Sequence, residues 1–188
     1  NEISKDIDLL ISQTKRCSEI LKQISKKQIE EDVFLSSIKL EDLLEEIVTS
    51  FKETSSKQIN LITNQDTNKI AIQRMPEIIF GLRNFIGNAV KFSKSKVNIN
   101  LQSDQKIIEI RINDDGPGIP EDIINKIGEP YIKSRSKELS SNSGLGLGTF
   151  LGKTLLERQN AKLSFKRNKD LGGALVIISW SPKNFINS

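Results

Sequence analysis

Three short stretches in a fixed order constrain this chain more than any other feature. They are Asn84-Phe85-Ile86-Gly87-Asn88-Ala89-Val90-Lys91-Phe92-Ser93, then Asp114-Asp115-Gly116-Pro117-Gly118-Ile119-Pro120, then Gly144-Leu145-Gly146-Leu147-Gly148. Each is ordinary alone. In series they demand a fold that brings one helix face, one strand end and one glycine-rich turn together.

The pattern around them supplies such elements. Ser37-Ile38-Lys39-Leu40 reads as a short strand and Glu41 to about Thr54 as a helix, with Leu43, Leu44, Ile47, Val48 and Phe51 on one side. Gln58–Thr63 and Lys69–Gln73 are strand candidates flanking a turn-like 64–68. Pro76 opens a helix that should run to about Phe92. Ser95–Gln102 and Lys106–Asn113 alternate as two strands of a hairpin. Residues 140–143 read as a loop, Gly148–Gln159 as a helix, and Ala161–Lys166 and Gly173–Trp180 as closing strands. Helices and strands in this mixed order predict an α+β layered sheet with helices on one face.

Residues 2–29 contain neither Pro nor Gly, and Ile3, Ile7, Leu10, Thr14, Cys17, Leu21 and Ile24 recur in steps of four and three. That is a heptad seam, expected to pack in a helical bundle, whereas a helix folded back on its own domain is the simpler alternative. Residues 1–30 and 36–188 are therefore expected to be separate units.

The chemistry of the three stretches is specific. Asn84, Asn88 and Lys91 fall on one helix face. An amide oxygen from Asn88 is a hard ligand suited to Mg²⁺ that keeps waters and takes phosphate oxygens. Lys91 can place a point charge on phosphate. The competing reading is an amphipathic helix with a solvated face. Asp114 ends an alternating strand, and an ionised carboxylate only accepts hydrogen bonds, which suits an exocyclic amine such as that of adenine. Gly116 and Gly118 would let backbone approach a flat base; a plain tight turn is the alternative. Alternating glycines before a helix expose N–H groups to phosphate. Together the stretches describe a pocket for a purine nucleotide carrying a metal-bound triphosphate.

Composition removes several rivals. The 188 residues contain no histidine, so imidazole zinc sites and Ser-His-Asp triads are excluded within this chain. One cysteine permits no intrachain disulfide. Net charge is +4 with scattered lysines, and no nucleic-acid partner is expected. No apolar run approaches the ~20 residues of a membrane span. A chain opening on Asn1 is expected to be a piece of a longer protein, reaching a membrane only through a missing N-terminal part.

On these residues the chain resembles the catalytic ATP-binding domain of sensor histidine kinases, in the superfamily shared with gyrase, Hsp90 and MutL. Asn84–Ser93 matches the family's N box and Asp114–Ile119 its first glycine box. Glu129-Pro130-Tyr131 matches the box before the lid, and Gly144–Gly148 the second glycine box. The resemblance spans about Leu40 to Trp180. It implies a Bergerat-type α/β sandwich, a mixed sheet covered by helices, preceded by one long helix from a dimerisation bundle. It implies ATP and Mg²⁺ as ligands. Asn84, Asn88 and Lys91 become the candidate catalytic residues, with Asn88 on Mg²⁺ and Lys91 on phosphate. Phe92 would pack near adenine, where the family often has Tyr. Asp114 would bind the adenine amine, and Gly116, Gly118 and Ile119 would shape the base pocket. Tyr131 and the lid residues Lys133 and Arg135 would border the nucleotide. Gly144, Leu145, Gly146, Leu147 and Gly148 would form the lid base. Thr149 stands where the family more often has Leu, so lid packing is expected to differ.

The runs 13–21 and 153–158 resemble the RegB/PrrB group of redox-responsive kinases, which implies a redox role for Cys17; a small buried hydrophobe is the alternative. The resemblance further implies a response regulator as partner, a homodimer in the full-length protein, and a cytoplasmic domain of an inner-membrane protein. The missing histidine departs from the family's activity, because the phospho-acceptor would then precede Asn1. An ATPase of the gyrase, Hsp90 or MutL kind is disfavoured, since those relatives carry a glutamate where this chain has Asn84, and an amide is a poor base. An anti-sigma-type serine kinase is disfavoured by the heptad helix. A non-catalytic nucleotide-sensing module stays open.

Overall fold

Alternation of apolar and polar residues decides the central sheet. In Lys96–Ser103 (β4), Val97, Ile99 and Leu101 are fully buried, while Asn98 and Asn100 between them face the other way. Ile108–Asp114 (β5) repeats the pattern with Ile108, Ile110 and Ile112. The computed structural model describes Thr14 and residues 37–64, 67, 70–104, 106–124, 126–129, 147–168 and 171–182. The helix expected over 2–29 with Cys17, and the residues Tyr131, Lys133, Arg135, Gly144, Leu145 and Gly146, lie outside the described residues.

In chain order the remaining elements are Ser37–Lys39 (β1), Leu40–Lys52 (α1), Gln58–Thr63 (β2), Ala71–Gln73 (β3) and Pro76–Phe92 (α2) before β4 and β5. Glu121–Ile124 (α3), Leu147–Arg158 (α4), Lys162–Arg167 (β6) and Ala174–Trp180 (β7) follow them. The main sheet has the order β2-β4-β5-β7-β6, with β2 parallel to β4 and every other neighbour antiparallel. The expected hairpin is β4–β5, with Ile99 opposite Ile112. The two strands flanking the 64–68 turn go to different sheets. β2 joins β4, whereas β3 pairs with β1 in a two-stranded sheet, Ile38 opposite Ile72.

Helix ends follow the helix dipole. Helix α1 opens with Glu41 and Asp42 and closes with Lys52; α2 opens with Pro76 and Glu77 and closes with Lys91. Their apolar stripes bury Leu43, Leu44 and Ile47 from α1, and Leu82, Phe85 and Ile86 from α2, against one face of the sheet. Phe85 meets Phe165 of β6 at 5.8 Å between ring centres, and the Trp180 indole donates to Gln159 O at 3.1 Å. Among the described residues no helix is long and apolar enough to cross a membrane.

This topology gathers several of the candidate residues at one end of the sheet. Asp114 is the last residue of the central strand β5, opposite Val97 at the start of β4. Its neighbour Asn113 pairs with Leu175 at the start of β7. The ends of α2 and of the β6–β7 turn therefore meet at Asp114.

Candidate nucleotide site

One end of the candidate site is built around one buried carboxylate. Asp114 is 5% exposed, and its Oδ1 accepts from Gly116 N at 2.8 Å and Ala174 N at 3.1 Å. Burial pushes its pKa above the ordinary carboxylate value, and neighbouring Asp115 adds to the rise. The two backbone hydrogen bonds and the Lys57 charge oppose it.

Two glycines are required by the closeness of this packing. A Cβ at Gly116 would strike Phe92 O at the end of α2. A Cβ at Gly173 would strike both the carbonyl and Oδ1 of Asp114. Gly118 has φ +80°, a left-handed conformation that side chains resist. Gly116 thus packs between Asp114 and the Phe92 carbonyl, and Gly118 lies against Gly172 and Gly173. Gly173 and Ala174 were missed, because a Gly-Gly pair before a strand reads as an ordinary turn.

Two further charged residues, also unassigned in the sequence, lock the end of α2. The Lys57 ammonium donates to Val90 O at 2.6 Å, Ser93 O at 2.6 Å and Lys91 O at 3.3 Å. These carbonyls include ones that helix geometry leaves without a partner, and a cation there also meets the negative end of the helix dipole. Asp115 accepts from Lys94 N at 2.8 Å, Ser95 N at 3.1 Å and Ser95 Oγ at 2.7 Å. Partial desolvation would raise the Asp115 pKa, but these hydrogen bonds outweigh it and hold the carboxyl well below its usual range. The C-terminus of α2 is thereby fixed to the strand end that carries Asp114.

The other end is a helix pair. Helices α2 and α4 run antiparallel with three contacts one turn apart: Gly81 against Leu156, Gly152 against Asn84 and Phe85, and Asn88 against Thr149. The two glycines allow the close approach, since a Cβ at Gly152 would lie 3.2 Å from the Asn84 Cβ. Asn84 donates its amide to Phe80 O at 2.9 Å, within its own helix. Asn88 donates to Thr149 Oγ1 at 3.2 Å. The Lys91 ammonium lies 5.2 Å from the centre of the Phe92 ring. Leu147 and Gly148 begin α4. Of the predicted residues, Asn84 and Asn88 therefore line the α2–α4 seam, and Lys91 and Phe92 stand at its end nearest Asp114.

Among the described residues no three His, Cys, Asp or Glu side chains cluster as metal ligands. An ion held here would draw on phosphate oxygens and water as well as one protein ligand, which is how Mg²⁺ commonly binds. The Asn88 amide fits that chemistry, since its nitrogen is engaged by Thr149 and its oxygen is a hard ligand.

Residues 77–184 match the family described as histidine kinase-, DNA gyrase B-, and HSP90-like ATPase. The chain belongs to this family. Sensor histidine kinase RegB of Cereibacter sphaeroides is 36% identical over 193 residues, covering 93% of this chain and 42% of RegB. The chain thus spans less than half the length of that relative. The catalytic domain of histidine kinase ThkA shares the fold with a TM-score of 0.64 at 20% identity, covering 78% of this chain and 97% of that one. Full-length ShkA, solved in complex with AMPPNP, shares it with a TM-score of 0.64 at 21% identity, over 80% of this chain and 31% of that one. The mixed five-stranded sheet with its helices is accordingly the Bergerat-type fold of histidine kinase catalytic domains, as the sequence predicts.

Proposed function

We propose that this chain binds ATP with Mg²⁺ as the catalytic portion of a sensor histidine kinase. The γ-phosphoryl group would pass to a histidine outside the chain, and thence to an aspartate of a response regulator. The observation that carries the reading is the state of Asp114. It is a buried carboxylate at a strand end, and both hydrogen bonds it accepts among the described residues fall on Oδ1. Oδ2 is the acceptor offered to the adenine amine. The name of the RegB relative and the AMPPNP held by ShkA support the same reading.

In this proposal Gly116 and Gly118 bring backbone against the base, and Phe92 and Ile119 border it. Asn88 would hold Mg²⁺ through its amide oxygen, and Lys91 would steer the phosphates. The bound ion would supply charge neutralisation on the phosphate oxygens. Tyr131, Lys133, Arg135 and the glycines from Gly144 to Gly148 complete the site over the triphosphate. The acceptor imidazole nitrogen forms a bond to the γ-phosphorus, the bond to the β-phosphate oxygen breaks, and ADP leaves. Positioning and charge stabilisation supply most of the catalysis in such transfers.

Hydrolysis is the weaker reading. Asn84 stands where a hydrolase of this superfamily would need a general base, and its amide is committed to Phe80 O.

The test is transfer of label from γ-labelled ATP to a separate chain carrying a histidine-bearing bundle helix. The expected result is labelled acceptor with little phosphate release. Phosphate release without labelled acceptor would contradict the kinase reading and favour the ATPase.

A further inference from the structure

The contact between Asn88 and Thr149 does more than close a gap between helices. An amide side chain is planar, with its oxygen and nitrogen on opposite arms, so fixing one arm aims the other. Thr149 Oγ1 takes the Asn88 nitrogen at 3.2 Å, within hydrogen-bond range. Thr149 lies in the first turn of α4, directly after Leu147 and Gly148. Its place opposite Asn88 is set independently by the contacts at Gly152 and Gly81 one and two turns away. A leucine at this position has no oxygen and could not make the bond.

We infer that Thr149 is a positioning residue: its hydroxyl holds the Asn88 amide with the oxygen turned toward the metal-bound phosphates, and so ties the start of α4 to the metal ligand on α2. The inference rests on the proposed role of Asn88 as the Mg²⁺ ligand. It deepens that role by assigning the partner that orients the ligand. Outer partners that orient metal ligands commonly change metal affinity by about 10–100-fold. A single neutral hydrogen bond on a partly exposed amide belongs at the lower end of that range.

The measurement is the affinity for ADP with Mg²⁺ and with EDTA, by calorimetry, for the wild type, Thr149→Val and Thr149→Ser. The readout is the ratio of the two affinities. Damage to packing would weaken both and leave the ratio unchanged. The inference expects Thr149→Val to cut the Mg²⁺-dependent gain by about tenfold and Thr149→Ser to retain it. Should Val disturb the helix seam, seen as a lost cooperative melting transition, Thr149→Ala gives the same comparison without the extra methyls. A Mg²⁺ gain kept in full by the Val and Ala variants overturns the inference while leaving the Asn88 role standing. A gain that increases would mean Thr149 had been holding the Asn88 oxygen, and also overturns it. A wild type with no Mg²⁺ gain overturns the Asn88 role itself, and the inference with it.

Discussion

The two ends of the site are held in different ways. At the base end, Asp114 is gripped by backbone N–H groups, hemmed by Gly116 and Gly173, and backed by two charged clamps, Lys57 and Asp115. At the other end, proposed to take the phosphates, Asn88 makes among the described residues one side-chain hydrogen bond, to Thr149. Backbone partners and close-packed glycines cannot rotate away, whereas a side chain held by a single hydrogen bond can still exchange rotamers. The difference teaches that the Asp114 end, proposed to take the base, is already shaped by the fold. The phosphate end is completed by its ligands.

The sharpest way to break this comparison is to intrude on the base end. Gly173→Ala forces a methyl into the Asp114 carboxylate and carbonyl. Overpacking of about 1–3 kcal/mol would translate into up to roughly a hundredfold loss of nucleotide affinity. Calorimetry should show it with and without Mg²⁺ alike. An affinity within twofold of wild type would mean that the β6–β7 turn yields easily and the pocket is not rigid.

A smaller effect should come from Lys57→Met, which keeps the aliphatic stem and removes the charge. Loss of a half-buried C-terminal cap costs on the order of 1–2 kcal/mol of unfolding free energy, measurable in urea. The same variant should shift the pH dependence of binding. The folded-state pKa of Asp114 is raised, so its ionised form is lost as pH falls through a value above the ordinary 3.8, and nucleotide affinity falls with it. Protonation there favours the empty fold, because a raised carboxylate binds its proton more tightly folded than unfolded. Affinity and the Asp114 contribution to stability thus move in opposite directions on acidification. Removing the Lys57 charge removes one influence that lowers the Asp114 pKa, so the acid limb of binding should move to higher pH. Lys57→Arg should leave it in place. An acid limb unmoved in Lys57→Met would confine Lys57 to capping.

Much of the fold was legible because period and punctuation agree. Pro76, the apolar stripe of α2 and the strict alternation through β4 and β5 each point to one answer, and Asp114 was legible as the end of an alternating strand. The split of β2 and β3 between two sheets was hidden, since short strands beside a turn carry no record of their partners. Lys57 was illegible for a related reason: its carbonyl partners lie 33 to 36 residues away, and a lysine in a polar loop ordinarily reads as solvated. Thr149 was visible only as a departure from the family pattern. The structure supplies the oxygen's partner, because the glycine contacts that set the α2–α4 register are not encoded at position 149 itself.

The central claim is that Asp114 is the nucleotide base acceptor of a preformed pocket. Calorimetric titration of this chain with ADP and AMPPNP, with and without Mg²⁺, beside Asp114→Asn, tests it most directly. Replacing a charged acceptor with an amide that turns a donor toward the adenine amine removes about 1.5–3 kcal/mol and adds a repulsive contact. The account predicts Mg²⁺-strengthened binding by the wild type and none detectable by a folded Asp114→Asn variant. A folded wild-type chain that binds no nucleotide, or an Asp114→Asn variant that binds as well as wild type, would contradict it.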